Sequence, residues 1–195
     1  MIIGVDMDSV IADILPTIDA FHNKKYGTTL IPDDHSSYDL SGYWNCTAEE
    51  VYRRIFEYYE SDEFHSTPPV AGAQRALTQL SVHHELHLIT ARPYDIEQKT
   101  HDWLNTYFPA IFTHIHHTNL ISKGGKGKSI KKSDVCKALG ATLMIDDHIE
   151  YALDCAENGI ETILFPAPWN AGKSVSHPKV KKVNNWDEIV NMLPF

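Results

Sequence analysis

The chain has 195 residues, 43% hydrophobic and 22% charged, a composition that fits one globular domain with room for a sizeable insertion. Its formal net charge of −9 is concentrated in residues 13–70, where eleven Asp and Glu outnumber Lys24, Lys25, Arg53 and Arg54. Such a segment repels a phosphate backbone and argues against polymeric nucleic acid as a partner. No stretch approaches the ~18 consecutive apolar residues of a membrane span, and the N-terminal apolar run lacks the basic flank of a signal peptide. Cys46, Cys136 and Cys155 are scattered and odd in number, so neither a disulfide framework nor a metal motif is expected, and a reduced, cytoplasmic setting follows.

Residues 2–10 read Ile-Ile-Gly-Val-Asp-Met-Asp-Ser-Val. An apolar, β-branched run ended by polar residues predicts a buried strand over residues 2–5. Asp6 and Asp8 then fall where strand gives way to loop, the place where open α/β sheets hold their ligands. Two carboxylates so close repel each other, and a cation or a shared proton must compensate. Mg²⁺, a hard ion that prefers carboxylate oxygens, is the obvious cation.

Residues 13–70 break the strand rhythm. Helical spacing covers residues 14–26 and 48–59, the second opened by a candidate capping box, Thr47 with Glu50. Residues 27–45 read as loop, and Pro68-Pro69 closes the excursion. We expect a helical cap at 13–70 inserted into a core formed by 1–12 and 71–195. Beyond it, strands at 85–89, 111–116, 142–145 and 161–165 alternate with helices at 73–81, 95–107, 133–139 and 149–157, the signature of crossover units and a parallel sheet. Residues 180–183 are a candidate edge strand and 186–193 a closing helix. The expected fold is α/β, a three-layer Rossmann-like parallel sheet with a small helical cap after its first strand.

Further polar groups fall at or before strand ends. Thr90 and Arg92 lie in Leu-Ile-Thr-Ala-Arg-Pro, Lys132 in Lys-Ser-Asp-Val-Cys-Lys, and Asp146 and Asp147 in Leu-Met-Ile-Asp-Asp-His. Taken singly, Thr90 reads as a strand-end hydroxyl, the Asp pair as a helix cap and Lys132 as a solvated lysine. A parallel sheet, however, puts all its strand C-termini on one side, so these residues can converge on Asp6 and Asp8. Four carboxylates, a hydroxyl and an amine are the parts that phosphoryl transfer needs.

Together, Asp6-Met7-Asp8-Ser9-Val10, Thr90, Lys132 and Asp146-Asp147 resemble the four motifs of the haloacid dehalogenase superfamily of phosphohydrolases, over essentially the whole chain. Asp-Met-Asp-Ser-Val-Ile-Ala-Asp, Pro69-Val70-Ala71-Gly72-Ala73 and Pro168-Trp169-Asn170 are similar to the branch of 5′(3′)-deoxyribonucleotidases and bacterial 5′-nucleotidases. Ser9 departs from it, standing where glycine is common. The resemblance implies a Mg²⁺-dependent phosphomonoester hydrolase with Asp6 as nucleophile and Asp8 as general acid and base. It further implies Mg²⁺ on the Asp6 carboxylate, the Asp8 carbonyl and one of the Asp146/Asp147 pair, with Asp147 direct and Asp146 through water. Thr90 and Lys132 would bind the phosphoryl group, and Arg92 would reach the substrate or anchor its loop.

The implied substrate is a small phosphorylated metabolite, a nucleoside monophosphate in this branch, with a sugar phosphate as the alternative. Aromatic density in 13–70 offers stacking surfaces for a base, and Phe21, Tyr38 and Trp44 are the candidates. A phosphoacceptor receiver domain would place its acidic pair early and its acceptor later, the reverse of this order, and a silent binding protein would not need the intact acidic set. Gly127-Lys128-Ser129 ends like a P-loop, but Ser122 stands where that motif needs glycine, so residues 123–132 read as a basic loop at the rim. His114, His116 and His117 lack a ligand partner at recognisable spacing and read as surface or packing residues.

Overall fold

The computed structural model describes residues 1–118 and 129–193. In chain order the elements are β1 (Ile2–Val5), α1 (Ile14–Tyr26), α2 (Leu40–Tyr43), α3 (Ala48–Tyr59), α4 (Asp62–His65), α5 (Ala73–Ser81), β2 (Glu85–Thr90), α6 (Glu97–Tyr107), β3 (His114–His117), α7 (Lys132–Leu139), β4 (Leu143–Asp146), α8 (Ile149–Glu157), β5 (Glu161–Leu164), β6 (Val180–Lys182) and α9 (Trp186–Met192). All strand pairs are parallel, in the order β3-β2-β1-β4-β5-β6. The winding direction reverses between β1 and β4, so the crevice for a ligand opens at their C-terminal ends.

Strand alternation builds two cores. Ile3 and Val5, with Leu86, Leu88, Leu143 and Ile145, pack against Leu77, Leu80, Trp103, Leu104, Trp186 and Ile189 of α5, α6 and α9. On the other face Ile89 and Met144 pack with Val135, Cys136 and Cys155 of α7 and α8. Helices thus cover both faces, giving the expected three-layer α/β architecture. Gly4 suits this packing: a Cβ there would lie 2.8 Å from both Ile89 Cδ1 and Met144 Sδ, so those side chains would have to shift to admit one.

The predicted strand at 111–116 begins only at His114. Ile111 and Phe112 instead pack against the core as the chain leaves α6, and pairing starts where the Thr113 amide donates to the Leu86 carbonyl. The helix expected at 95–107 enters through a 3₁₀ turn, Tyr94–Ile96. Within 27–45, read as loop, lie a 3₁₀ turn (Pro32–Asp34) and α2.

Helices α1–α4 share a core of Ile18, Phe21, Trp44, Tyr58, Tyr59 and Phe64, joined by Ile96. The capping box at Thr47 and Glu50 forms as predicted at the start of α3. The two chain passages linking these helices to the sheet run side by side. The Asp13 amide donates to the Pro68 carbonyl and the Val70 amide to the Ile11 carbonyl, at 2.9 and 2.8 Å. Trp186 Nε1 donates to the Val10 carbonyl and Trp103 Nε1 to the Thr67 carbonyl, fastening both passages to the sheet layer.

Candidate active site

The strand ends converge. Asp6 follows β1, and its amide donates to the Ile145 carbonyl of β4, which sets the Asp6 side chain beside the end of that strand. Lys132, the first residue of α7, is buried and places Nζ 2.8 Å from Asp6 Oδ1 and 2.7 Å from Asp146 Oδ2. The other Asp146 oxygen accepts from the His148 amide at 2.9 Å, so both its oxygens are engaged. Asp147 is buried, and its Oδ2 has no hydrogen-bond partner among the described residues. Ligand oxygens of Asp6, Asp146 and Asp147 lie within 4.8 Å of one another.

The electrostatics of this cluster are unbalanced. Burial pushes the Asp6 carboxyl up to about 7; Lys132 pulls it down, while Asp146 and Asp8 push it up. Burial, then the charges of Asp6 and Asp146, hold Asp147 well above the usual carboxylate range. Lys132 is shifted up: burial works against its charge, but Asp146 and Asp6 outweigh it. Fully ionised, the four carboxylates (Asp6, Asp8, Asp146, Asp147) would carry two negative charges more than Lys132 and Arg92 balance, and the raised Asp6 and Asp147 carboxyls express that excess. An orphaned, buried carboxylate oxygen beside such an excess fits a divalent hard cation.

Arg92, also buried, grips Asp8: Nη2 donates to Oδ1 at 2.7 Å, and Nε lies 3.2 and 3.1 Å from Oδ1 and Oδ2. Thr90 is buried at the end of β2, and its hydroxyl accepts from the Arg92 amide at 3.2 Å. Ser9, which lines the cavity beside Asp8, adopts φ 62°, the left-handed region that glycine enters without steric cost. The serine is accommodated there, its amide donating to the Ala12 carbonyl at 2.8 Å.

A cavity of about 720 Å³ opens over this floor. Asp6, Asp8, Arg92 and Asp147 lie at its acidic end; Ile14, Leu15 and Ile18 of α1 and Val51 and Ile55 of α3 make an aliphatic wall; Tyr38, His148, Tyr151 and Trp169 line it as well. Tyr38 packs edge-on against His148 (ring centroids 4.4 Å apart) and Trp169 (5.7 Å). Burial of its hydroxyl end, with Tyr151, Asp147, Asp6 and Asp8 nearby, raises its phenol well above the ordinary range. The loop that carries it is pinned by buried His35, whose Nε2 lies 2.9 Å from Asp19 Oδ1 of α1.

Phe21 and Trp44 do not reach the cavity. Phe21 packs against Tyr58 at 5.7 Å and Trp44 stacks on His22 at 4.7 Å, both inside the helical core. They pack there among Tyr58, Tyr59 and Phe64, which leaves them 4% exposed each. Three contributions were not read from the sequence: the aliphatic wall, the Arg92–Asp8 grip, and Asn170. Asn170 Nδ2 bridges the Asp147 and Phe165 carbonyls at 2.8 and 2.7 Å, fixing the backbone of Asp147. The Pro168-Trp169-Asn170 turn after β5 was the available signal. Among the histidines, His116 Nε2 meets His87 Nδ1 at 3.1 Å and His117 Nδ1 donates to the Arg92 carbonyl. Residues 123–128 of the basic loop, including Gly127 and Lys128, lie outside the described residues.

Comparison with known proteins decides the family. The family model for 5′ nucleotidase, deoxy (Pyrimidine), cytosolic type C protein matches residues 1–194. The chain belongs to this nucleotidase family. Two proteins named 5′(3′)-deoxyribonucleotidase, from Bacillus subtilis (strain 168) and from Bacillus phage SPbeta, are each 32% identical to it over 195 residues, spanning 98% of both chains. The fold is shared with a haloacid dehalogenase-like hydrolase from Streptococcus pneumoniae (TM-score 0.69, 15% identity, 98% of this chain and 97% of that one). It is shared too with a HAD-superfamily hydrolase of subfamily IA from Geobacter sulfurreducens (TM-score 0.63, 16% identity, 99% and 96%). Membership makes this nucleotidase-family protein a phosphatase on a haloacid dehalogenase-like scaffold, as the motif resemblance implied.

Proposed function

We propose that the protein hydrolyses (deoxy)nucleoside 5′-monophosphates with Mg²⁺, through an aspartyl-phosphate on Asp6. The observation that carries this reading is the buried Lys132–Asp6 pair beside the unpartnered Asp147 oxygen, where Asp6 and Asp147 line a cavity with an aliphatic wall. A carboxylate oxygen of Asp6 attacks phosphorus, and the bond to the leaving oxygen breaks with its electron pair on that oxygen. Asp8 gives that oxygen its proton, then takes one from the water that cleaves the aspartyl-phosphate. Lys132 and Thr90 offer an N–H and an O–H to the phosphoryl oxygens, and Lys132 offsets charge as the phosphate meets a carboxylate.

The Asp6 and Asp147 carboxylates and the Asp8 carbonyl are the groups we assign to Mg²⁺, with Asp146 behind them because Lys132 and the His148 amide already occupy its oxygens. The ion would neutralise the excess negative charge and hold the phosphate for in-line attack. We read residues 13–70 as a cap over a core of 1–12 and 71–195, with Tyr38 on the cap's loop as a substrate contact. Ile14, Ile18, Val51 and Ile55 give a base apolar contact but give a polyol no hydrogen-bond partner, which favours nucleotides over sugar phosphates. Free Cys136 and Cys155, both buried, fit a reducing cytoplasmic setting.

A panel of ribo- and deoxyribonucleoside monophosphates run beside sugar phosphates, with Mg²⁺ and with EDTA, tests the reading. Phosphate release should favour nucleotides and stop with EDTA. Faster turnover of a sugar phosphate than of every nucleotide would overturn it.

A further inference from the structure

Asp8 is the one carboxylate of the site whose side chain stands partly open to the cavity, at 31% exposure, while the arginine that holds it is 1% exposed. The hold is asymmetric. Asp8 Oδ1 takes the short bond from Arg92 Nη2 at 2.7 Å and a share of Nε, whereas Oδ2 has only the longer Nε contact at 3.1 Å. Arg92 is itself fixed on every side. Its Nη1 donates to Thr100 Oγ1 of α6 at 3.4 Å, its amide donates to Thr90 Oγ1, and its guanidinium lies 5.1 Å from the ring centre of Phe64 in α4. A guanidinium with a rigid fork and this many partners fixes the orientation of whatever it grips.

The geometry points to Arg92 as the positioning residue for Asp8, holding Oδ1 so that Oδ2 is the oxygen that passes the proton to the leaving group. This rests on the reading of Asp8 as acid and base and adds to it the residue that aims it. Arg92 itself acts through Asp8 and makes no bond to the reacting atoms. Because Phe64 covers the guanidinium, the aim also depends on the helices of 13–70 being seated as they are here. Arg92 is not a free cation waiting for phosphate, since Nε and Nη2 hold Asp8 and Nη1 holds Thr100.

The test uses leaving groups of unequal need. An alkoxide leaving from a nucleoside monophosphate needs a proton, and dinitrophenolate leaving from 2,4-dinitrophenyl phosphate does not. The readout is kcat/KM with Mg²⁺, which covers the steps up to the aspartyl-phosphate, for the wild type, Arg92→Met, Arg92→Lys, Asp8→Asn and the Asp8→Asn/Arg92→Met double variant. Loss of a positioned general acid costs about 100-fold or more. We expect Arg92→Met to lose that much on the nucleotide and less than about threefold on the dinitrophenyl ester, whose retained rate also reports an intact fold. Arg92→Lys, which keeps the charge without the fork, should show the same pattern more weakly. In the Asp8→Asn background, Arg92→Met should cost nothing further. Equal losses on both esters, no loss on either, or an additive double variant would each overturn the role of Arg92. Should Asp8→Asn itself show no leaving-group dependence, the acid role of Asp8 would fall instead, and that result is read independently of the arginine.

Discussion

Nζ of Lys132 and Oδ1 of Asp6 lie 2.8 Å apart, with side chains only 3% and 9% exposed. The lysine opens α7 and the aspartate ends β1, so a contact between residues distant in sequence is made by the sheet register rather than by local structure. Lys132 also reaches Asp146, and a single ammonium therefore holds two buried carboxylates together. This makes the site a source of instability as well as of chemistry.

Lys132→Met should expose that duality. Removing the ammonium leaves Asp6 and Asp146 buried with no cation between them, a change that costs about 3–5 kcal/mol in other proteins. Activity should fall about 100- to 1000-fold, the usual loss when a preorganised charge at a reacting group is removed. Urea unfolding and phosphate release measure the two effects.

Asp147→Asn should act in the opposite sense on stability. In metal-free protein burial and then Asp6 and Asp146 disfavour the ionised Asp147, so replacing its carboxyl removes the cost of burying an ionisable group there and should raise the melting temperature. The same change should abolish the stabilisation that Mg²⁺ gives the wild type, about 2.7 kcal/mol at a hundredfold excess over Kd. Thermal melts with EDTA and with Mg²⁺ provide all four values.

The raised carboxyl of Asp6 carries a pH signature. Its folded pKa of about 7 lies above the ordinary 3.8, so the folded state binds this proton more tightly than the unfolded state. The resulting stabilisation is full below about pH 4 and is lost as pH rises toward about 7. In EDTA, wild type should therefore lose stability relative to Asp6→Asn across that window. Urea midpoints at half-unit intervals of pH measure the difference.

Tyr38→Ala and Trp44→Ala should separate binding from stability. Tyr38, 44% exposed, lines the cavity and touches His148 and Trp169, so its loss should raise KM for nucleotides about tenfold while stability stays within ~0.5 kcal/mol. Trp44 is buried in the helical core and its truncation should cost about 3–5 kcal/mol of stability. Steady-state kinetics and urea unfolding on both variants check this.

The sheet and the convergence at its rim were legible because both follow from strong local patterns. Apolar runs alternating with helical spacing give a parallel sheet, and a parallel sheet gathers Asp6, Thr90, Asp146 and Asp147 on one edge. What was hidden depends on which way a helix face turns. Val51, Ile55, Tyr58 and Tyr59 lie on one face of α3 and all meet the cavity, yet nothing in their spacing tells a core from a ligand wall. Phe21 and Trp44 looked like stacking surfaces for the same reason, and packing drew them inward. The Arg92–Asp8 grip spans 84 residues of sequence, and its geometry exists only once β1 and β2 pair.

Acid-quenched enzyme, mixed with a nucleoside monophosphate and Mg²⁺ and digested for mass spectrometry, tests the central claim most directly. A phosphoryl group on Asp6 in the wild type, absent from Asp6→Asn together with turnover, is the predicted result. Undiminished phosphate release by Asp6→Asn, or a phosphoryl group on another residue, would contradict it.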